Sequence, residues 1–214
     1  MSRGSIIVVL GAVSLSVGCV DTGEKFAAFE TRATKSKPVP RDASGDAAQC
    51  SVGRSSVTGQ YLLALSVTLA PTKPIVAMTG LSTPAFGGLD GGTGLLLEVQ
   101  PLSATDRLTP VGPKLVLGPF PVSATGTFRA DISGLEVPGT ANPVTGGDIA
   151  ANVVLTGNLC GDGRSFCGVV TGKVERPLVL DLVGSTFTLT RVEPLSDPPV
   201  RPPIDCAGTL SDPL

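Results

Sequence analysis

The 214-residue chain sets 16 Lys and Arg against 18 Asp and Glu, for a formal charge of −2, and contains no histidine, no tryptophan and a single tyrosine. Without histidine there is no Ser-His-Asp or Cys-His catalysis and no His-ligated metal site, and without a basic cluster nothing marks a nucleic-acid partner. The 27 glycines and 19 prolines interrupt every apolar stretch before a helical period can establish itself, which leaves an all-β chain of short strands.

In chain order, the first element is a leader. Arg3 is its one positive charge, and residues 6–17, IIVVLGAVSLSV, form an apolar run too short to span a bilayer as a helix. The run ends in SLSVGC, where a small residue, Gly18, precedes Cys19. This stretch resembles the leader of a bacterial lipoprotein, although Leu15 stands one place earlier than the leucine usual in that pattern. The resemblance covers the leader only. It implies removal of residues 1–18 and lipidation of Cys19, which would then attach the protein to a membrane. Val20 follows the cysteine where an aspartate would retain the protein at the inner membrane, so the resemblance implies the outer membrane. Ser16 and Gly18 also suit ordinary secretory cleavage.

Cysteine parity bears on the choice. Of Cys19, Cys50, Cys160, Cys167 and Cys206, an acylated Cys19 leaves four, enough for two disulfides in an exported domain. The expected pairs are Cys160–Cys167, across the turn-rich CGDGRSFC, and Cys50–Cys206, joining the start of the domain to its end. A zinc site would require closely spaced pairs that this chain lacks.

Residues 19–49 read as the lipidated cysteine and a polar tether, with a short helix over FAAFETRA as a lesser alternative. Residues 50–214 then form one β-rich globular domain, a single sandwich or barrel-like fold of about 8–9 short strands. The candidate strands are 59–69, 74–82, 93–102, 114–122, 126–135, 148–159, 166–174, 177–183 and 185–193.

GTFRADI alternates Phe128, Ala130 and Ile132 against Thr127, Arg129 and Asp131. STFTLTRV sets Phe187 and Leu189 against Thr186, Thr188 and Thr190. Both predict strands with one wet face. LLLEV and PLVLDLV are apolar on both faces and predict central, covered strands. Pro119 and Pro121 allow 114–122 at most an edge position. Residues 86–94, FGGLDGGTG, read as a hairpin tip. PLSDPPVRPP, 194–203, reads as a surface crossing that delivers Cys206. Thr-Gly pairs recur along the chain, as expected where threonine ends strands and glycine bends them.

No cofactor is expected and no enzyme. Asp131, Glu98 and Asp181 lie singly on strand-like segments, with nothing to group them into an acid–base pair. Asp90, Asp148 and Asp162 sit in glycine-rich turns without the ligand spacing of a calcium loop. Two functions fit what remains. The expected one is a lipid-anchored interaction or structural module on a β-sandwich, since prolines and irregular spacing suit a sandwich better than eight even strands. It would meet envelope proteins or glycans, with its oligomeric state open. The other is a carrier of a lipid or other apolar ligand in a barrel of lipocalin-like size. GQYLLAL, with an early glycine and an aromatic, is faintly similar to the first strand of a lipocalin but lacks its tryptophan.

Overall fold

Eight of the nine candidate segments fold as strands, and those eight close on themselves. The computed structural model describes residues 57–86, 92–193 and 201–214, all within one unit, Ser44–Leu214. The leader, Cys19, the tether with FAAFETRA, and Cys50 lie outside the described residues. So do Asp90 in the expected hairpin tip and most of PLSDPPVRPP.

The strands are β1 (Gly59–Ser66), β2 (Ile75–Ser82), β3 (Ala85–Phe86), β4 (Gly92–Pro101) and β5 (Leu115–Val122). They continue with β6 (Thr127–Val137), β7 (Ile149–Asn158), β8 (Ser165–Arg176), β9 (Leu180–Asp181) and β10 (Ser185–Arg191). All pairings are antiparallel. The ladder runs β1-β2-β4-β5-β6-β7-β8-β10, and β10 also pairs with β1, which closes an eight-stranded up-and-down barrel. β3 and β9 are two-residue additions on β4 and β8. Of the two architectures open to the sequence, the closed barrel is the one that forms.

Alternation sets the register. On β6, Phe128, Ala130 and Ile132 are buried while Thr127, Arg129 and Asp131 are exposed, as expected for a barrel wall with one wet face. Where two rings meet inside, the wall itself has to thin. Phe187 of β10 lies opposite Gly168 of β8, Gly168 opposite Gly157 of β7, and Gly157 opposite Phe128 of β6. The Phe128 and Phe187 rings lie 6.2 Å apart, tilted by 58°. A Cβ on Gly168 would stand 2.1 Å from the Thr156 carbonyl oxygen and 2.6 Å from the Phe187 ring. The glycines are the space the rings occupy.

Four expectations are corrected. First, PLVLDLV is not a central strand. Only Leu180–Asp181 pairs, and the segment is a loop from which Leu178, Val179 and Val183 emerge exposed. Its β-branched and leucine content matches that of a strand, but it follows β8 directly and must turn back to enter β10. Second, the threonine face of β10 is covered. Thr186 and Thr188 donate to the carbonyls of Ile204 and Pro203, at 2.6 and 2.5 Å, so residues 201–214 lie over the outside of β10. From there the tail reaches the loops after β1 and β4. Thr72 donates to Asp212 at 2.7 Å, and buried Arg107 donates to Ser211 Oγ and the Asp212 carbonyl at 3.0 Å.

Third, the expected disulfides do not form. Cys167 bonds Cys206, with 5.4 Å between their Cα atoms, which rules out both Cys160–Cys167 and Cys50–Cys206. The cause is strand register. Phe166 turns into the barrel, so its neighbour Cys167 must turn out, onto the face where the tail carries Cys206. Cys160 is also in a disulfide.

β5 differs from the expected edge strand in having a neighbour on both sides, yet its prolines still tell. It shares six residue pairs with β4 and a single one, Val122 with Phe128, with β6. Pro119 and Pro121 have no N–H to contribute to a ladder.

Candidate functional site

The barrel has one packed end and one hollow end. At the packed end, Tyr61 and Phe166 meet with ring centres 5.6 Å apart, and Val57 and Leu159 are buried and do not line the cavity. Tyr61 is wholly buried, and its hydroxyl lies 2.8 Å from the Val57 carbonyl and 2.9 Å from that of Gly163.

The hollow end holds a cavity of about 130 Å³. Strand direction shows its depth. On β1, Leu63 and Leu65 line it and Tyr61 does not; on β2, Ile75, Ala77 and Thr79 line it and Leu81 does not. Leu81 is 2 % exposed and belongs to the packed floor. Thr79, on β2 opposite Tyr61 of β1 and Val99 of β4, is therefore the deepest lining residue of its strand.

The lining is almost entirely aliphatic and aromatic. Among the described residues it includes no charged side chain and only three polar ones, Thr79, Asn142 and Thr145. Asn142 and Thr145 satisfy each other and the local backbone. Asn142 donates to Thr145 Oγ1 at 2.7 Å and to the Gly147 carbonyl at 2.8 Å, and accepts from the backbone N–H groups of Val144 and Thr145. Thr79 differs: it is fully buried, and its Oγ1 has no hydrogen-bond partner.

At the mouth, Leu69 and Leu178 line the cavity and are half exposed. The two loops that carry them touch, since Ser185 Oγ accepts from Thr68 N–H at 3.3 Å. Val179 and Val183 stand exposed on the same loop as Leu178 but are not part of the lining.

The acidic residues considered from sequence lie elsewhere. Glu98 pairs with Lys114 on the surface, Asp131 pairs with Arg129 at 2.9 Å, and Asp181 accepts from Val183 N–H at 2.8 Å. Asp148 accepts from Gly139 N–H and Asp162 from Arg164 N–H, each tying its own turn. Sequence reading missed the cavity and Thr79. The signal for Thr79 was there, as a polar residue in the inward register of Ile75, Ala77 and Leu81. No signal distinguishes a filled barrel from a hollow one.

Compared with protein-family models, curated proteins and solved structures, the chain matches none of them.

Proposed function

We propose that this protein is a non-catalytic carrier that binds a small apolar ligand inside its barrel and is held at the bacterial outer membrane by lipid on Cys19. The observation that carries the binding reading is the cavity: hollow, apolar, and bordered by the half-exposed Leu69 and Leu178. Apolar lining with a few placed polar groups is the usual make-up of a small-molecule site. The anchor rests on SLSVGC and on cysteine parity. The carrier reading is preferred to an interaction module because a module has no use for a hollow interior, and unfilled apolar volume weakens a fold.

The size of the cavity sets the probe. It is close to the ~150 Å³ engineered cavity that accepts benzene, so a six-carbon guest is the right scale. Full-length protein titrated with hexane should show a thermal midpoint that rises with concentration, as mass action requires. Ala151→Phe places a ring in the cavity and should abolish the rise. A midpoint indifferent to hexane in the unsubstituted protein would overturn the carrier reading.

A further inference from the structure

We infer that the ligand is a neutral amphiphile that enters with a hydroxyl or carbonyl group leading, and that Thr79 is the residue that receives this group. The inference deepens the carrier reading and rests on it.

Three observations converge on Thr79. It lines the cavity at its floor, one inward position above packed Leu81. It is 0 % exposed, and its Oγ1 lacks a partner. The other polar side chains of the lining, Asn142 and Thr145, are engaged with each other and with the backbone. A buried hydroxyl without a partner is a standing penalty, whereas valine would fill the same shape without it. A χ1 step of about 120° moves Oγ1 into the place of Cγ2 or of Hβ, so the hydroxyl can be turned toward a guest. As both donor and acceptor, it can meet a guest's hydroxyl or carbonyl.

The rest of the lining excludes other heads. A carboxylate, phosphate or ammonium group at the floor would be buried without a counter-charge, because none of the described lining residues is charged. A pure hydrocarbon would fit the walls but leave Thr79 as it is. What satisfies both walls and floor is an uncharged polar head on an apolar body, with the body directed toward Leu69 and Leu178.

The test is a matched pair of probes on a matched pair of proteins. Hexane and hexan-1-ol are bound to the full chain and to Thr79→Val, and dissociation constants are measured by calorimetry. The expected result is that Thr79→Val binds hexanol roughly two- to tenfold more weakly, the range a net hydrogen bond supplies, and binds hexane no more weakly. Thr79→Ser, which keeps the hydroxyl, should keep the preference for the alcohol and also guards against a folding defect in the valine variant. Equal hexanol affinity in the parent and Thr79→Val would overturn the anchor while leaving the carrier reading intact. A parallel loss of both probes in Thr79→Val would assign Thr79 a packing role and overturn it too. Failure of both probes on the unsubstituted protein would overturn the carrier reading itself.

Discussion

The Arg191 guanidinium lies over the Tyr61 ring, 5.6 Å from its centre, and so joins the last barrel strand to the first at the packed end. The same side chain donates to Tyr61 Oη at 3.3 Å, to the Gly163 carbonyl at 3.2 Å and to the Thr58 carbonyl at 2.8 Å. It thus ties the β7–β8 loop and the chain before β1 to the seam where the barrel closes. Tyr61→Phe keeps the ring but removes the hydroxyl from two buried carbonyls, and should cost about 1–3 kcal/mol. Urea unfolding measures it. An unchanged midpoint would show that the hydroxyl is dispensable.

Tyr61 can also be titrated alone, since the chain has no other tyrosine and no tryptophan. Burial raises its pKa above the ordinary 10.0, the positive charge of Arg191 works against that shift, and Asp162 adds to it. Tyrosinate absorbance should therefore rise at higher pH in folded protein than in urea, and higher still in Arg191→Ala. Because the folded value is the raised one, this contribution to stability is complete below the unfolded pKa and disappears as pH climbs through the folded one. An ordinary phenol titration in the folded protein would contradict the burial.

Reducing or removing Cys167–Cys206 should loosen the tail from the barrel. The bridge spans 39 residues of sequence, and loop-closure entropy assigns such a loop about 4 kcal/mol of stabilisation. Cys206→Ser should lower the unfolding midpoint accordingly and expose the 201–214 amides to hydrogen exchange. Protection unchanged from the parent would mean that the threonine contacts hold the tail alone.

Peptide mapping under non-reducing conditions should recover Cys167–Cys206 and join Cys160 to Cys50, the cysteine that remains if Cys19 carries lipid. Cys19→Ser should then release the protein from the membrane fraction. A Cys19–Cys160 bridge in the map would remove the anchor altogether.

Gly168→Ala places a methyl where the Phe187 ring and the Thr156 carbonyl already are. Overpacking of this kind costs about 1–3 kcal/mol, read as a lowered thermal midpoint. Retained stability would require the rings to have another place to go.

Much of the wall was legible because period-two alternation is a local signal. GTFRADI gave both the strand and its inward face. Of the Thr-Gly pairs, those at 125–126 and 145–146 turn the chain, whereas those at 79–80, 93–94, 156–157 and 171–172 lie inside strands, where Gly157 makes room for Phe128. The misreadings share a cause, which is that composition does not say what covers a face. Thr186 and Thr188 look wet until a tail some fifteen residues further on is laid across them. Leu178, Val179 and Val183 look central but stand exposed on a loop, with Leu178 at the cavity mouth. The Cys167 partnership likewise depends on where the tail passes, not on distance along the chain. The cavity depends on the summed volume of side chains from every strand, which no single stretch encodes.

The sparse contact between β5 and β6 has a consequence for life at high local concentration. A complete barrel offers no free strand edge, but this one keeps two facing edges where the ladder stops after Val122–Phe128. Such edges invite a strand from another copy to pair, the first step toward aggregation. Pro119 and Pro121 interrupt any such ladder along β5, since neither has an N–H to offer an incoming chain. The prolines thus guard this edge as well as shaping the strand, and their replacement by valine should show first as self-association.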